Sequence, residues 1–138
     1  MTHTLTEVRD IAARLLADKG VDYVYPMGDN PNRACLYYTK DGQPSCFVGH
    51  VIDIWQEGVD AAHEADRSIL AGSIAYSAEQ VLRRAEVDAE RTAVDYLTHV
   101  QEWQDSGKPW GESVLYAEHR IDLHTQYVSG CPMCDGED

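Results

Sequence analysis

The sequence predicts an α+β domain, mostly helical, with a small antiparallel β-hairpin and one long helix over about residues 78–105. Three observations predict it. Two short tyrosine-rich runs before residue 40 read as strands, Ser/Thr-headed capping signals open two helices, and apolar residues recur at helical spacing through most of the remainder.

Taken in order, Thr4-Leu-Thr-Glu7 fits a capping box, and Leu5, Val8, Ala12, Leu15 and Leu16 form one stripe ended by Gly20, so a first helix is expected over Leu5 to Lys19. Val21, Tyr23 and Tyr25 then alternate up to Pro26, and Ala34 to Thr39 form a second strand closed by Asp41-Gly42. The two strands pair as a hairpin, with helices covering one face because two strands alone are marginal in water. Ser45 is read as the N-cap of a helix carrying Phe47, Val51, Ile54 and Trp55, and Asp60 as the cap of another that stops at Gly72. Ser77-Ala-Glu-Gln80 is a second capping box, and the stripe from Ala78 to Trp103 runs unbroken to the stop at Ser106-Gly107 and Pro109. A helix of that length spans about 40 Å, so it reads either as the central helix of the bundle or as one whose far end meets a partner or a second copy, with Ala85, Ala89 and Ala93 allowing close approach. A final helix is expected from Trp110 to about His124, followed by an acidic tail.

At 138 residues the chain has room for one core, placed at residues 1–128, with the tail at 129–138. It carries eight Tyr and three Trp against one Phe, which places several amphipathic rings at a core rim or contact surface. No apolar run reaches the ~18 residues of a membrane span, and the first residues lack the basic and apolar stretches of a signal peptide. A cytoplasmic location with reduced thiols is expected.

The net charge is −13, and it is uneven: residues 1–57 hold eight acids and five bases, whereas residues 58–138 hold sixteen acids and six bases. Such a field repels a phosphate backbone, so no direct nucleic-acid binding is expected, and it favours a partner with a basic surface.

Four sets of residues carry candidate chemistry. Cys131-Pro-Met-Cys134 is half of a zinc site, and the missing ligands are either His119 and His124 or Cys35 and Cys46. Residues five apart on a helix point about 140° apart, so His119 and His124 converge only if the helix frays near Leu123. A site closed by four protein ligands is structural, not catalytic. Cys35 and Cys46 also have a simpler reading, as small buried hydrophobes. His50, Asp53, His63, Glu64 and Asp66 supply the groups used in metal hydrolysis and acid–base catalysis. Glu86, Glu90 and Asp95 resemble a magnesium-holding acidic helix, yet neither set completes a motif, and both also read as solvated helix faces. A nucleophile elbow, a phosphate-binding glycine loop and a dinucleotide fingerprint are not present in the sequence.

Two blocks resemble a pattern in small uncharacterised proteins of actinobacteria and actinobacteriophages. The first is Cys35-x-Tyr37, then a turn, then Pro44-x-Cys46-x-Val48-Gly49; the second is Gln101-x-x-Gln104-Asp105-x-Gly107-x-x-Trp110. The resemblance implies a shared small α+β scaffold and a phage or actinobacterial source, hence the host cytoplasm if phage-encoded. It implies no activity.

The reading that follows is a non-enzymatic accessory protein that binds a host protein through an acidic helical surface at Glu86, Asp88, Glu90 and Asp95, with DNA mimicry as a special case. The alternatives are a zinc-stabilised adaptor and a metal-dependent nucleotide hydrolase.

Overall fold

The computed structural model describes residues 2–26, 35–72 and 76–130, with side chains through Leu123. Its regular structure there is six helices: α1 (Leu5–Lys19), α2 (Phe47–Trp55), α3 (Val59–Leu70), α4 (Ala78–Arg84), α5 (Arg91–Asp105) and α6 (Trp110–Gly130). The centre of the packing is α5, which contacts α6 along its length and also touches α4, α1 and α2. It buries Ala93, Tyr96, Leu97 and Val100 in a core shared with Val8, Ile11, Phe47, Val51, Ile52, Leu82 and Trp110.

The first helix has the expected bounds, with the Thr4 side chain accepting from the Glu7 N–H. The capping box at Ser77 is present in full, its hydroxyl and the Gln80 side chain satisfying each other's backbone N–H groups. The N-cap of α2 lies one residue beyond the expected Ser45: the Cys46 Sγ accepts from the Gly49 N–H at 3.4 Å.

Among the described residues the expected hairpin is not formed, and the α+β class gives way to an all-helical one. Among the described residues backbone pairing outside helices reduces to two isolated points, Tyr38 with Pro44 and His3 with Ala89. Residues 35–38, expected as a strand, form a non-helical stretch with a bend at Tyr37, and their N–H groups meet side chains instead of a second strand. Cys35 N–H bonds Asp105, Leu36 N–H bonds the Tyr25 hydroxyl at 3.1 Å, and Tyr37 and Tyr38 N–H bond the two oxygens of Asp66 at 2.8 and 2.9 Å. Their carbonyl edge faces the chain just beyond, where Ser45 N–H bonds Tyr37 O and Cys46 N–H bonds Leu36 O. A buried non-helical segment must satisfy every donor, and here side chains of α3 and α5 together with Tyr25 supply the acceptors. Gly49 makes the approach possible: a Cβ there would collide with the Tyr37 carbonyl.

The other strand-like run, residues 21–25, serves α6. Trp110 N–H donates to Tyr23 O at 2.8 Å and Gly111 N–H to Val21 O at 2.9 Å, so two of the free donors at the start of that helix are capped by main chain.

The long helix is also corrected: it is two helices, α4 and α5, divided at residues 85–90. The break is a Schellman turn with Glu86 in the left-handed position (φ 56°), where Glu86 N–H bonds Arg83 O and Val87 N–H bonds Leu82 O, both at 3.0 Å. Glycine normally marks that position, so the unbroken stripe concealed the stop. The turn is held open by the N-terminal residues: His3 N–H bonds Asp88 O and Glu90 N–H bonds His3 O, each at 2.8 Å. With 15 residues α5 is about 22 Å long, and the break removes the 40 Å helix on which a contact with a second copy was expected.

Candidate functional site

The predicted zinc ligands can be placed only in part. Cys131 and Cys134 lie outside the described residues. His119 is exposed on α6, and that helix continues through Gly130 without fraying at Leu123, which leaves positions 119 and 124 about 140° apart around its axis. Cys35 and Cys46 are buried free thiols. Cys46 caps α2, while Cys35 faces Cys46, Asp105 and, at 3.4 Å, the Gln101 Nε2. The hydrogen bond to Cys46 and burial push the Cys35 thiol well up, away from thiolate character. Among the described residues no three His, Cys, Asp or Glu side chains gather with metal-ligand geometry.

The second candidate set is divided among several jobs. Asp53, His63 and Asp66 all meet Tyr38: its hydroxyl donates to Asp53 Oδ1 at 3.2 Å, His63 stacks on its ring at 4.3 Å, and Asp66 takes its N–H. His50 instead bonds the Cys46 carbonyl through Nδ1 at 2.8 Å and lies edge-on to Trp110; burial lowers its pKa. Glu64 pairs with Arg84 at 2.6 Å.

The acidic set does not share one helix face. Glu86, Asp88 and Glu90 belong to the turn between α4 and α5, and Asp95 lies on α5, paired with Arg91 at 3.0 Å. Asp88 accepts from the Thr2 hydroxyl, and Glu90 Oε1 accepts from the Leu5 N–H at the start of α1, both at 2.8 Å. Two of the four therefore fasten the N-terminus, and Glu86 is exposed in the turn.

A cleft that the sequence reading did not single out lies between α3, the start of α4 and α5. It has a volume of about 250 Å³ and is lined by Cys35, Tyr37, Tyr76, Gln101, Glu102 and Asp105 among others. Gln101 donates from Nε2 to the Tyr37 hydroxyl at 2.8 Å and accepts the Ala78 N–H at 2.6 Å. The Tyr37 hydroxyl in turn donates to the Tyr76 carbonyl at 2.8 Å. Burial pushes Asp105 up to about 6, against the lowering effect of its bonds from Gln104 and Cys35. Next to it, Gln104 Oε1 accepts both the Phe47 N–H and the Trp110 Nε1–H, at 3.1 and 3.0 Å. The signal was available: Gln101, Gln104 and Asp105 are polar residues on the buried side of a helix.

These contacts join the two sequence blocks read above. Cys35 and Tyr37 bond Gln101, Cys35 bonds Asp105, the residue after Cys46 bonds Gln104, and Gln104 bonds Trp110. The blocks form one buried hydrogen-bonded node whose polar groups are directed at one another. No protein-family model, curated protein or solved structure matches the chain. No helix among the described residues is long and apolar enough to cross a membrane.

Proposed function

We propose that the protein is a non-enzymatic accessory protein of an actinobacterium or one of its phages, and that it binds a host protein presenting a basic surface. The observation that carries this reading is how the charge is distributed between inside and outside contacts. The chain has 24 acids and 11 bases, and much of the positive charge is engaged within the molecule. Arg9, Arg83, Arg84 and Arg91 sit in ion pairs with Glu118, Glu79, Glu64 and Glu79/Asp95. Lys19 and Lys108 lie over the rings of Tyr23 and Trp103. The surplus presented to solvent is acidic, which steers a basic partner and repels nucleic acid. The polar node supports the same reading, because its groups hold the scaffold together and the Cys35 thiol is pushed away from its nucleophilic form.

The test is capture from an actinobacterial host lysate on the immobilised protein at about 0.05 M and about 0.5 M salt. The expected result is a protein with a basic surface that is held at low salt and released at high salt. No capture, or capture indifferent to salt, overturns the proposal. Asp88 and Glu90 are poor positions for charge removal in this assay, since their loss also releases the N-terminus; Glu86 is the cleaner one.

A further inference from the structure

We infer that the apolar groove between the end of α1 and the start of α6 docks a basic amphipathic helix of the partner; this rests on the function proposed above and names the segment it would recognise. The groove has a volume of about 450 Å³ and is lined by Leu16, Val21, Pro109, Val114 and Leu115, with Asp22 and Glu112 as its charged members. Its apolar residues are held open to solvent: Val21 is 58% exposed and Leu115 69% exposed. Val21 is not free to turn inward. Its carbonyl caps the Gly111 N–H at 2.9 Å, and Gly111 packs so closely that an added Cβ would lie 2.7 Å from that oxygen. The same bonds that start α6 thus fix a valine at the mouth of the groove, beside a leucine one turn along the helix.

The charge of the rim selects the occupant. Asp22 and Glu112 carry no ion pair among the described residues, and no Lys, Arg or His lines the groove. A second copy would bring the same two carboxylates and another −13 of net charge to the contact. The chain's own C-terminal residues have the same sign, with Asp135, Glu137 and Asp138. A helix with leucine-like side chains on one face and lysine or arginine flanking them satisfies both features, filling the apolar floor and neutralising the rim.

The test uses a fluorescein-labelled peptide of about 14 residues, helix-forming, with Leu on one face and Lys on the other, followed by anisotropy against the full chain. Two control peptides replace either the Leu residues by Ala or the Lys residues by Glu. Binding by the Leu/Lys peptide is expected, at least about tenfold tighter than by either control. Leu115→Ser is expected to lose about tenfold, and Asp22→Asn with Glu112→Gln to weaken binding and flatten its salt dependence. All three positions are exposed, and melting curves confirm that the variants fold. Equal binding of the Ala control, or unchanged binding by Leu115→Ser, overturns the inference. So does a sedimentation mass of two chains that returns to one in Leu115→Ser, which would make a second copy the occupant. Salt-sensitive capture of a basic protein that persists unchanged in Leu115→Ser sinks the groove alone, whereas no such capture by the wild type sinks the proposed function.

Discussion

Two short non-helical segments cross this helical protein, and they are fastened in opposite ways. Residues 35–38 run through the interior, with their N–H groups on the side chains of Asp105, Tyr25 and Asp66. Residues 2–5 run over the surface, where His3 exchanges backbone bonds with residues 88–90 and the Leu5 N–H meets the Glu90 carboxylate. Each is held without a neighbouring strand among the described residues. The interior anchors work in a dry setting, where losing an acceptor leaves a donor with nothing and where carboxylates resist ionising. At the surface water can replace any bond that is lost. The same kind of contact should therefore cost several-fold more to break inside, and only the inside ones should make stability strongly dependent on pH.

The sharpest way to break this contrast is Asp66→Ala. It removes the acceptor of two N–H groups, those of Tyr37 and Tyr38, in the core. At ~1–3 kcal/mol for each unsatisfied buried donor, a loss of about 4 kcal/mol is expected, measured by urea denaturation. Asp66→Asn should recover little of it, because one of the two N–H groups would then face an amide N–H. A loss below about 1 kcal/mol would mean that water reaches this segment, and the distinction between interior and surface would fail.

The next effect is one of pH. Burial raises Asp105 to about 6 from the usual carboxylate range. Between about pH 4 and pH 6 the folded chain then binds more protons than the unfolded one, so this group makes stability fall as pH rises through that window and level off above it. The size is about 3 kcal/mol for a shift of roughly two units. Burial also raises Asp66, which adds in the same direction. Asp105→Asn keeps a carbonyl acceptor and cannot ionise, so its stability relative to wild type should improve by about 3 kcal/mol from pH 4 to pH 7. Thermal melts across that range check it, and a constant difference between the two proteins would count against a proton held at Asp105.

What could be read from the sequence follows the same division between local and long-range causes. The bounds of α1, the capping box at Ser77 and the turn before Trp110 depend on neighbours in the chain, and each was legible. Residues 35–38 were read as a strand, which they do not form, and the partners that hold them were not legible. A strand pattern announces donors that need acceptors without naming them, and Asp66 lies about 30 residues further along the chain. The break between α4 and α5 was hidden for a related reason. Nothing in Ala85-Glu-Val-Asp-Ala-Glu90 spoils a helix, and what stabilises the break is a backbone pairing with His3, over 80 residues away. Of the candidate site residues, several fasten the chain to itself, Asp66 and Glu90 through backbone N–H groups and Asp88 through the Thr2 hydroxyl. The exposed groove beside α6 was not legible, since it depends on Val21 being held by a helix that begins 89 residues later.

At the surface strap the expected losses are smaller. Glu90→Ala deletes the acceptor for the Leu5 N–H at the exposed start of α1, an N-terminal donor that water can also satisfy. About 1 kcal/mol is expected, the ordinary value of a cap, with hydrogen exchange of residues 3–8 accelerated and that of residues 35–38 unchanged. A loss as large as that of Asp66→Ala would show the strap to be part of the core.

The smallest effect is a gain. Glu86 holds a left-handed conformation at φ 56° to end α4, a backbone region that costs a side-chain-bearing residue about 1–2 kcal/mol and glycine almost nothing. Glu86→Gly relieves that cost but gives the unfolded chain more freedom, which takes part of the gain back. The net expected is a stabilisation of about 0.5 kcal/mol, read as a shift in urea midpoint with an unchanged slope. The same change at Arg84, in the last turn of α4, should instead cost about 1 kcal/mol. If the two substitutions have the same sign, the turn is not set by the conformation of residue 86, and the strap alone, through its bonds to residues 88–90, would be what divides the two helices.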